Sequence, residues 1–199
     1  MEETRCRGYI YGAMNSTFIA LIPKVSKPAT FDAFRPISLC NFIYKLISKT
    51  IAEQLKPYLA KVITPKQFDF LHHRQILDAV GVTQEGIHTI KTKKLPALLL
   101  KLDLIKAYDK IDWGYLKLLL LHIGLGNELV NWIMACVTNV QFSVLVNGSP
   151  STFFHSSRGL RQGCSLSLLL FILVMDGMSR MIASYRCQNL ISGIKVSPH

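Results

Sequence analysis

Between residues 41 and 57 the apolar positions Ile43, Leu46, Ile47, Ile51 and Leu55 recur every three to four residues. That spacing predicts an amphipathic helix opening at Asn41. Pro57, with no N–H to donate, is expected to end or restart it. "QILDAVGVTQEGIHTIKTKK", residues 75–94, repeats the period through Ile76, Leu77, Val80, Gln84, Ile87 and Ile90, although Gly81 and Gly86 weaken it. Its basic last turn suits the negative end of a helix dipole. "SLSLLLFILVMDGMSRMIASY", led by Ser165, predicts a long helix. The apolar block within it, Leu166 to Met175, falls short of the roughly 20 residues that cross a bilayer, so it reads as buried.

Strand signals fall elsewhere. "STFIALIPK" is a short run rich in β-formers, closed by Pro23, and a loop with Pro28 leads on to "FRPISL". "QFSVLVNGSPSTFFHSS" alternates on both sides of Asn147-Gly148, the strongest short-range hairpin signal. "ALLLKLDL", residues 97–104, is too short to assign by period, but its length suits a buried central strand. Asp112 and Asn127 are expected to cap "WGYLKLLLLHIG" and "ELVNWIMACVT". Residues 1–15 read as a disordered end. A strand, two helices and a hairpin in succession, without regular βαβ alternation, predict an α+β fold.

Composition narrows the partners. The 199 residues suffice for one domain with its own core. Lys and Arg number 23 against 12 Asp and Glu, a formal charge of +11 that favours a polyanion, either nucleic acid or an acidic membrane surface. Cys6, Cys40, Cys136, Cys164 and Cys187 are scattered and never form a Cys-x-x-Cys pair. Neither structural zinc nor a disulfide framework is supported, and a reducing compartment fits best. No charged segment followed by an apolar run opens the chain as a secretory signal would.

Candidate chemistry begins at Asp103. An aspartate ending an apolar run either meets water or meets a cation, because an unpaired buried carboxylate costs several kcal/mol. Asp109 and Asp112 follow closely and could cap the next turn, or help build an oxygen-rich cup for Mg²⁺. In "GLRQG", residues 159–163, two glycines flank Arg161-Gln162, allowing backbone to approach a ligand, and a helix N-terminus follows. His72-His73 does not make a metal pair, since adjacent side chains on extended backbone point opposite ways.

Five blocks, "TFIALIPK", "FRPISLCNFIYKLISKTIAEQLKP", "KLDLIKAYDKIDW", "FSVLVNGSPSTFF" and "SRGLRQGCSLSLLLFIL", occur in this order over residues 16–196. In this the chain resembles the reverse transcriptases of LINE-type non-LTR retrotransposons, especially those of plants. The resemblance implies a right-hand polymerase: residues 16–96 a fingers-like part, residues 97–199 a partial palm with an antiparallel sheet packed on helices. It implies RNA-directed DNA synthesis with Asp103 as catalytic metal ligand, the Leu104 carbonyl beside it, and two Mg²⁺ ions. Tyr108 would crowd the sugar 2′ position, though it could equally be a core aromatic. Asp109 would be supporting. Gln162 and Gly163 would contact the incoming nucleotide, and Arg35 and Lys45 would hold its triphosphate. Arg74 and Arg161 would meet the template. The implied partners are an RNA template, a DNA primer, dNTPs and the rest of a retrotransposon polyprotein, with no membrane and the nucleus as the parent element's location.

The match has gaps. Phe68, Asp69 and His73 stand where the family has small residues and glycine. Ile105, Ser165 and Leu168 stand where it more often has serine, proline and proline. Similar chains also continue past "GIKVS" into a hairpin bearing two adjacent aspartates, and this sequence holds no Asp-Asp pair. The expectation is therefore a polymerase domain inactive by itself. Two alternatives stay open: a basic remnant that binds nucleic acid without chemistry, and a fragment without selected function.

Overall fold

A computed structural model describes residues 4, 8–65, 67 and 76–193. Helices and a small sheet share one apolar core, an α+β arrangement as the element pattern predicts. A one-turn helix α1, Gly12–Asn15, leads into β1, Thr17–Pro23, which pairs antiparallel with β2, Phe34–Cys40, along its whole length from Thr17↔Cys40 to Pro23↔Phe34. Residues 8–15 are not the frayed end that their polarity suggests. Ile10 and Asn15 are both fully buried, and Asn15 Nδ2 donates to the carbonyls of Ala135, Thr138 and Asn139.

Helix α2, Phe42–Val62, starts where expected: Asn41 caps it, its side-chain oxygen accepting from Ile43 N at 2.9 Å. Pro57 lies inside and neither ends nor restarts it. The face it buries is offset from the predicted stripe, running through Tyr44, Ile47, Ile51, Ala52, Leu55 and Leu59, while Ile43 and Leu46 are about half exposed. Helix α3, Ile76–Thr92, forms as the period predicts, yet Ile76, Leu77 and Val80 face solvent.

The largest departure is at residues 97–104. They form no strand and no regular element, and the leucines there are bare, with Leu98 87% and Leu100 69% exposed. A short apolar run becomes a central strand only if neighbours hydrogen-bond to both its edges. Among the described residues no strand lies beside it, so its side chains stay in water.

Beyond it come α4, Trp113–His122, capped by Asp112 through Tyr115 N at 2.7 Å, and α5, Asn127–Val137, whose cap residue is Gly126 and not Asn127. Strand β3, Gln141–Val146, pairs with β4, Ser149–Pro150, through Asn147-Gly148, both at positive φ as a type I′ turn requires. It also pairs antiparallel with β5, Phe154–His155, and parallel with β1. The sheet is therefore mixed, with path β2-β1-β3-β4, and not wholly antiparallel.

Helix α6, Ser165–Cys187, is 23 residues long and apolar enough by length and composition to cross a membrane. Here it lies against α2 and α4 and buries Leu166, Leu169, Leu170, Ile172 and Leu173. Asp176 on this helix is 1% exposed and accepts from Thr64 N, Thr64 Oγ1 and Arg180 Nε at 3.0, 2.6 and 2.7 Å. Burial pushes its pKa up, but the Thr64 and Arg180 hydrogen bonds outweigh that and hold it below the usual carboxylate value.

Candidate functional site

The glycine-flanked loop and the turn after Asp103 are knitted together by backbone. Gly159 N donates to Ile111 O and Leu160 N to Tyr108 O, both at 2.8 Å, and the indole N–H of Trp113 closes the seam on Gly159 O at 2.8 Å. Only glycine fits there. Its φ is +92°, and a Cβ would stand 3.0 Å from Asp109 Cα and O and 3.1 Å from Tyr108 O. On the far side, Ser38 N of β2 donates to Gln162 O at 3.1 Å. Gly163 follows at φ +94°, packed by Ser38 and Ile37.

These contacts enclose a cavity of about 190 Å³ whose lining includes Ser38, Asp109, Arg158, Gly159 and Gln162. It joins a partly buried carboxamide, an exposed guanidinium and a carboxylate on a floor that includes Ile19, Val137, Phe142 and Leu160. Such a set offers hydrogen bonds to a polar ligand while leaving little freedom to the frame. Arg158 was not singled out by sequence; its position one residue before "GLRQG" was the available signal.

Arg161 is a correction. Expected to face the template, it is 5% exposed and turned into the fold. Its NH1 donates to Asn15 O and Thr17 Oγ1 at 3.4 and 3.2 Å, and its NH2 to Asn15 Oδ1 at 2.7 Å and to Cys136 O. Its Cζ sits 3.5 Å from the centre of the Tyr44 ring. The fork is thus occupied inside the fold. Sequence could not reveal this, because a buried and a solvated arginine have the same neighbours in a glycine-rich loop.

Asp103 also differs from expectation. It ends no buried strand; it is exposed, and with Leu104 it lines a separate, mainly apolar hollow of about 540 Å³ together with Lys110, Asp112, Tyr115 and Phe171. Tyr108 has its carbonyl bonded to the glycine loop and its ring stacked on Phe171 at 4.6 Å and 13°. The preceding residue pair is anchored outward: Lys106, at φ +53°, pairs with Asp32 at 2.8 Å, tying this turn to the loop before β2.

Of the two carboxylates in the Asp103 hollow, Asp112 is engaged as the α4 cap. Among the described residues no group of three or more His, Cys, Asp or Glu could hold a metal ion. The described residues therefore do not complete a metal site.

Arg35 and Lys45 are solvent-exposed, on β2 and in the first turn of α2, and neither lines the Gln162 cavity. Arg74 and the His72-His73 pair lie outside the described residues. Cys164 is buried. Desolvation raises its pKa, but hydrogen bonds from Ser167, Ser48 and Tyr44 outweigh that and leave it below the ordinary thiol value.

A mixed sheet on helices, with a glycine-flanked glutamine loop bonded to an aspartate-bearing turn, is consistent with part of a template-directed polymerase. The sequence matches the family model for reverse transcriptase (RNA-dependent DNA polymerase) over residues 22–195, so the chain belongs to the reverse transcriptase family. Its relatives are of the non-LTR retrotransposon type. It is 32% identical over 176 residues to the transposon TX1 uncharacterized 149 kDa protein of Xenopus laevis, covering 88% of this chain and 14% of that protein. It is 26% identical over 162 residues to the Pol polyprotein of type-1 retrotransposable element R2 of Nasonia vitripennis, covering 80% of this chain and 15% of that protein. For the Drosophila melanogaster R2DM polyprotein the figures are 25% over 163 residues, 82% and 15%. The chain thus spans only about 14–15% of the length of these relatives. Membership implies a divalent metal cofactor in general.

Proposed function

We propose that this chain is the nucleotide-contacting part of a non-LTR retrotransposon reverse transcriptase, comprising a fingers-like unit over residues 16–96 and part of a palm over 97–199. The observation that carries this reading is the seam between Gly159-Leu160 and Tyr108-Ile111. It fastens the loop bearing Gln162 to the turn bearing Tyr108 and Asp109, within a region that matches the family throughout. Gln162 and Gly163 then meet the base pair being formed, and Tyr108 limits room at the sugar. Exposed Arg35 and Lys45 supply cations for the triphosphate, Arg35 by the bidentate grip that arginine gives phosphate.

The cofactor of the intact enzyme is Mg²⁺, two ions in the two-metal manner, supplying charge to the transferring phosphoryl group. Asp103 and the Leu104 carbonyl are the residues here that would hold one, together with carboxylates that the described residues do not provide. The 199-residue chain accordingly binds primed RNA without extending it. The excess of 23 basic over 12 acidic residues favours this binding reading.

The test is anisotropy of a labelled DNA primer on an RNA template, followed by extension with dNTPs and Mg²⁺. Binding should fall by roughly 10³-fold or more between 50 and 200 mM salt if several phosphates are neutralised. Absence of binding at 50 mM salt overturns the nucleic-acid reading. Extension of the primer overturns the assignment of inactivity.

A further inference from the structure

Arg161 is a cation held almost entirely out of water, and all its partners are neutral: an Asn side chain, a Thr hydroxyl, two backbone carbonyls and an aromatic face. Taking a charge out of water costs several kcal/mol before any contact is counted. What compensates here is position. Cys136 O is among the terminal carbonyls of α5, the negative end of that helix, and the Tyr44 ring presents its electron-rich face. Asn15 reinforces the same end, donating to the carbonyls of Ala135, Thr138 and Asn139 while its own oxygen accepts from Arg161.

One side chain therefore joins three stretches distant in sequence: the α1–β1 junction, α2 and the end of α5. The next residue is Gln162, whose carbonyl is held by Ser38 of β2; both residues border the 190 Å³ cavity, but Arg161 spends its guanidinium on the fold. An apolar residue would fill the same space without the desolvation cost, but it could not fork to Asn15, Thr17 and Cys136 together.

We propose that Arg161 is a positioning residue: buried at the junction of α1, β1, α2 and α5, it fixes the loop in the register that presents Gln162 to the nucleotide. This rests on the reading of Gln162 given above. It assigns to Arg161 no contact with substrate, template or metal, and it makes Asn15 the second half of the device.

The test uses the 199-residue chain as wild type, R161K and R161M. Amide hydrogen exchange is measured under conditions where circular dichroism shows each variant folded, beside titration of the primed-template complex with the dNTP complementary to the next template base. In R161M the Ser38, Gly159 and Leu160 amides should exchange about tenfold faster or more, while Ile51 and Ala52 in α2 keep their rates. Nucleotide affinity should fall by about the same factor, with affinity for primed RNA unchanged. R161K, which keeps the charge and loses the fork, should lie between. Uniform acceleration of all amides, or none, overturns the proposal, because a general core prop would give the first and an idle residue the second.

Should R161M not fold, wild type with R161K decides. The three seam amides must share one opening rate in wild type and accelerate together in R161K, and independent behaviour overturns the tether. If wild type shows no response to any nucleotide, the polymerase reading of Gln162 fails, while the exchange data still decide whether Arg161 fixes the loop.

Discussion

Replacing Gly159 by alanine tests the seam directly. The new Cβ would lie 3.0 Å from backbone atoms of Asp109, and backbone cannot swing aside as a side-chain tip can. The residue would also be held at φ +92°, which costs an L-residue about 1–2 kcal/mol. Separating the strands of the seam weakens the bonds from Gly159 N and Leu160 N, worth about 1 kcal/mol each. Together these give roughly 3–4 kcal/mol, or about 10 °C in melting temperature for a chain of this size. Two other glycines calibrate the figure. Gly163 shares the positive φ at +94°, but its nearest neighbour would be 3.7 Å away, so G163A should show the strain alone, about 1–2 kcal/mol. Gly86 lies within α3 with nothing within 4 Å, and G86A should stabilise by about 0.5–1 kcal/mol. Urea unfolding followed by circular dichroism, with a common slope, ranks the three. If G159A and G163A are equal within about 0.5 kcal/mol, the close approach of loop and turn is not real.

Further consequences are as easily checked. Because Leu98 and Leu100 are exposed, L98K/L100K should shift unfolding free energy by no more than about 0.5 kcal/mol per site and improve solubility in light scattering. Were they in a buried strand, a loss of several kcal/mol would be seen. D176N should cost about 1–3 kcal/mol, since it breaks the pair between the buried Asp176 carboxylate and the half-exposed Arg180 and leaves a buried amide facing donors. The folded-state pKa of Asp176 lies below its unfolded value near 3.9, so its stabilisation is complete above about pH 5 and is lost as pH falls through the lower value. A wild-type acid titration should show that loss, and D176N should show less of it. N41A should remove the α2 cap and cost about 1 kcal/mol by thermal melting; no change would mean that another group satisfies Ile43 N.

Where a signal is local, sequence carried it. Asn147-Gly148 needs only its own two positive φ angles to make a turn, and Asn41 and Asp112 each cap through an amide two or three residues away. At the site the close approach in "GLRQG" is of another kind than the one expected: Gly159 admits the chain's own backbone at Tyr108 and Asp109. Local reading fails where the deciding partner is remote. Whether residues 97–104 become a strand depends on neighbours that the run itself does not encode. The fate of Arg161 depends on Asn15, 146 positions away. Ile43 and Leu46 illustrate a subtler miss: the helical period was right, but the direction of the buried face is set by Tyr44, which a hydrophobicity pattern underweights. Asp103 and Gln162 line different hollows for a related reason, since spacing along the chain says nothing of how the turn between them folds.

The parallel pairing of β1 with β3 sets a timetable for synthesis. Thr17 meets Phe142 in register, so the inner edge of the first hairpin waits for a partner 125 residues later in the chain. At ribosomal speeds of about 5–20 residues per second that wait is roughly 6–25 s. Throughout it a nascent chain displays unsatisfied amides next to Phe18, and whatever holds that edge apart from other polypeptides decides the yield of folded protein.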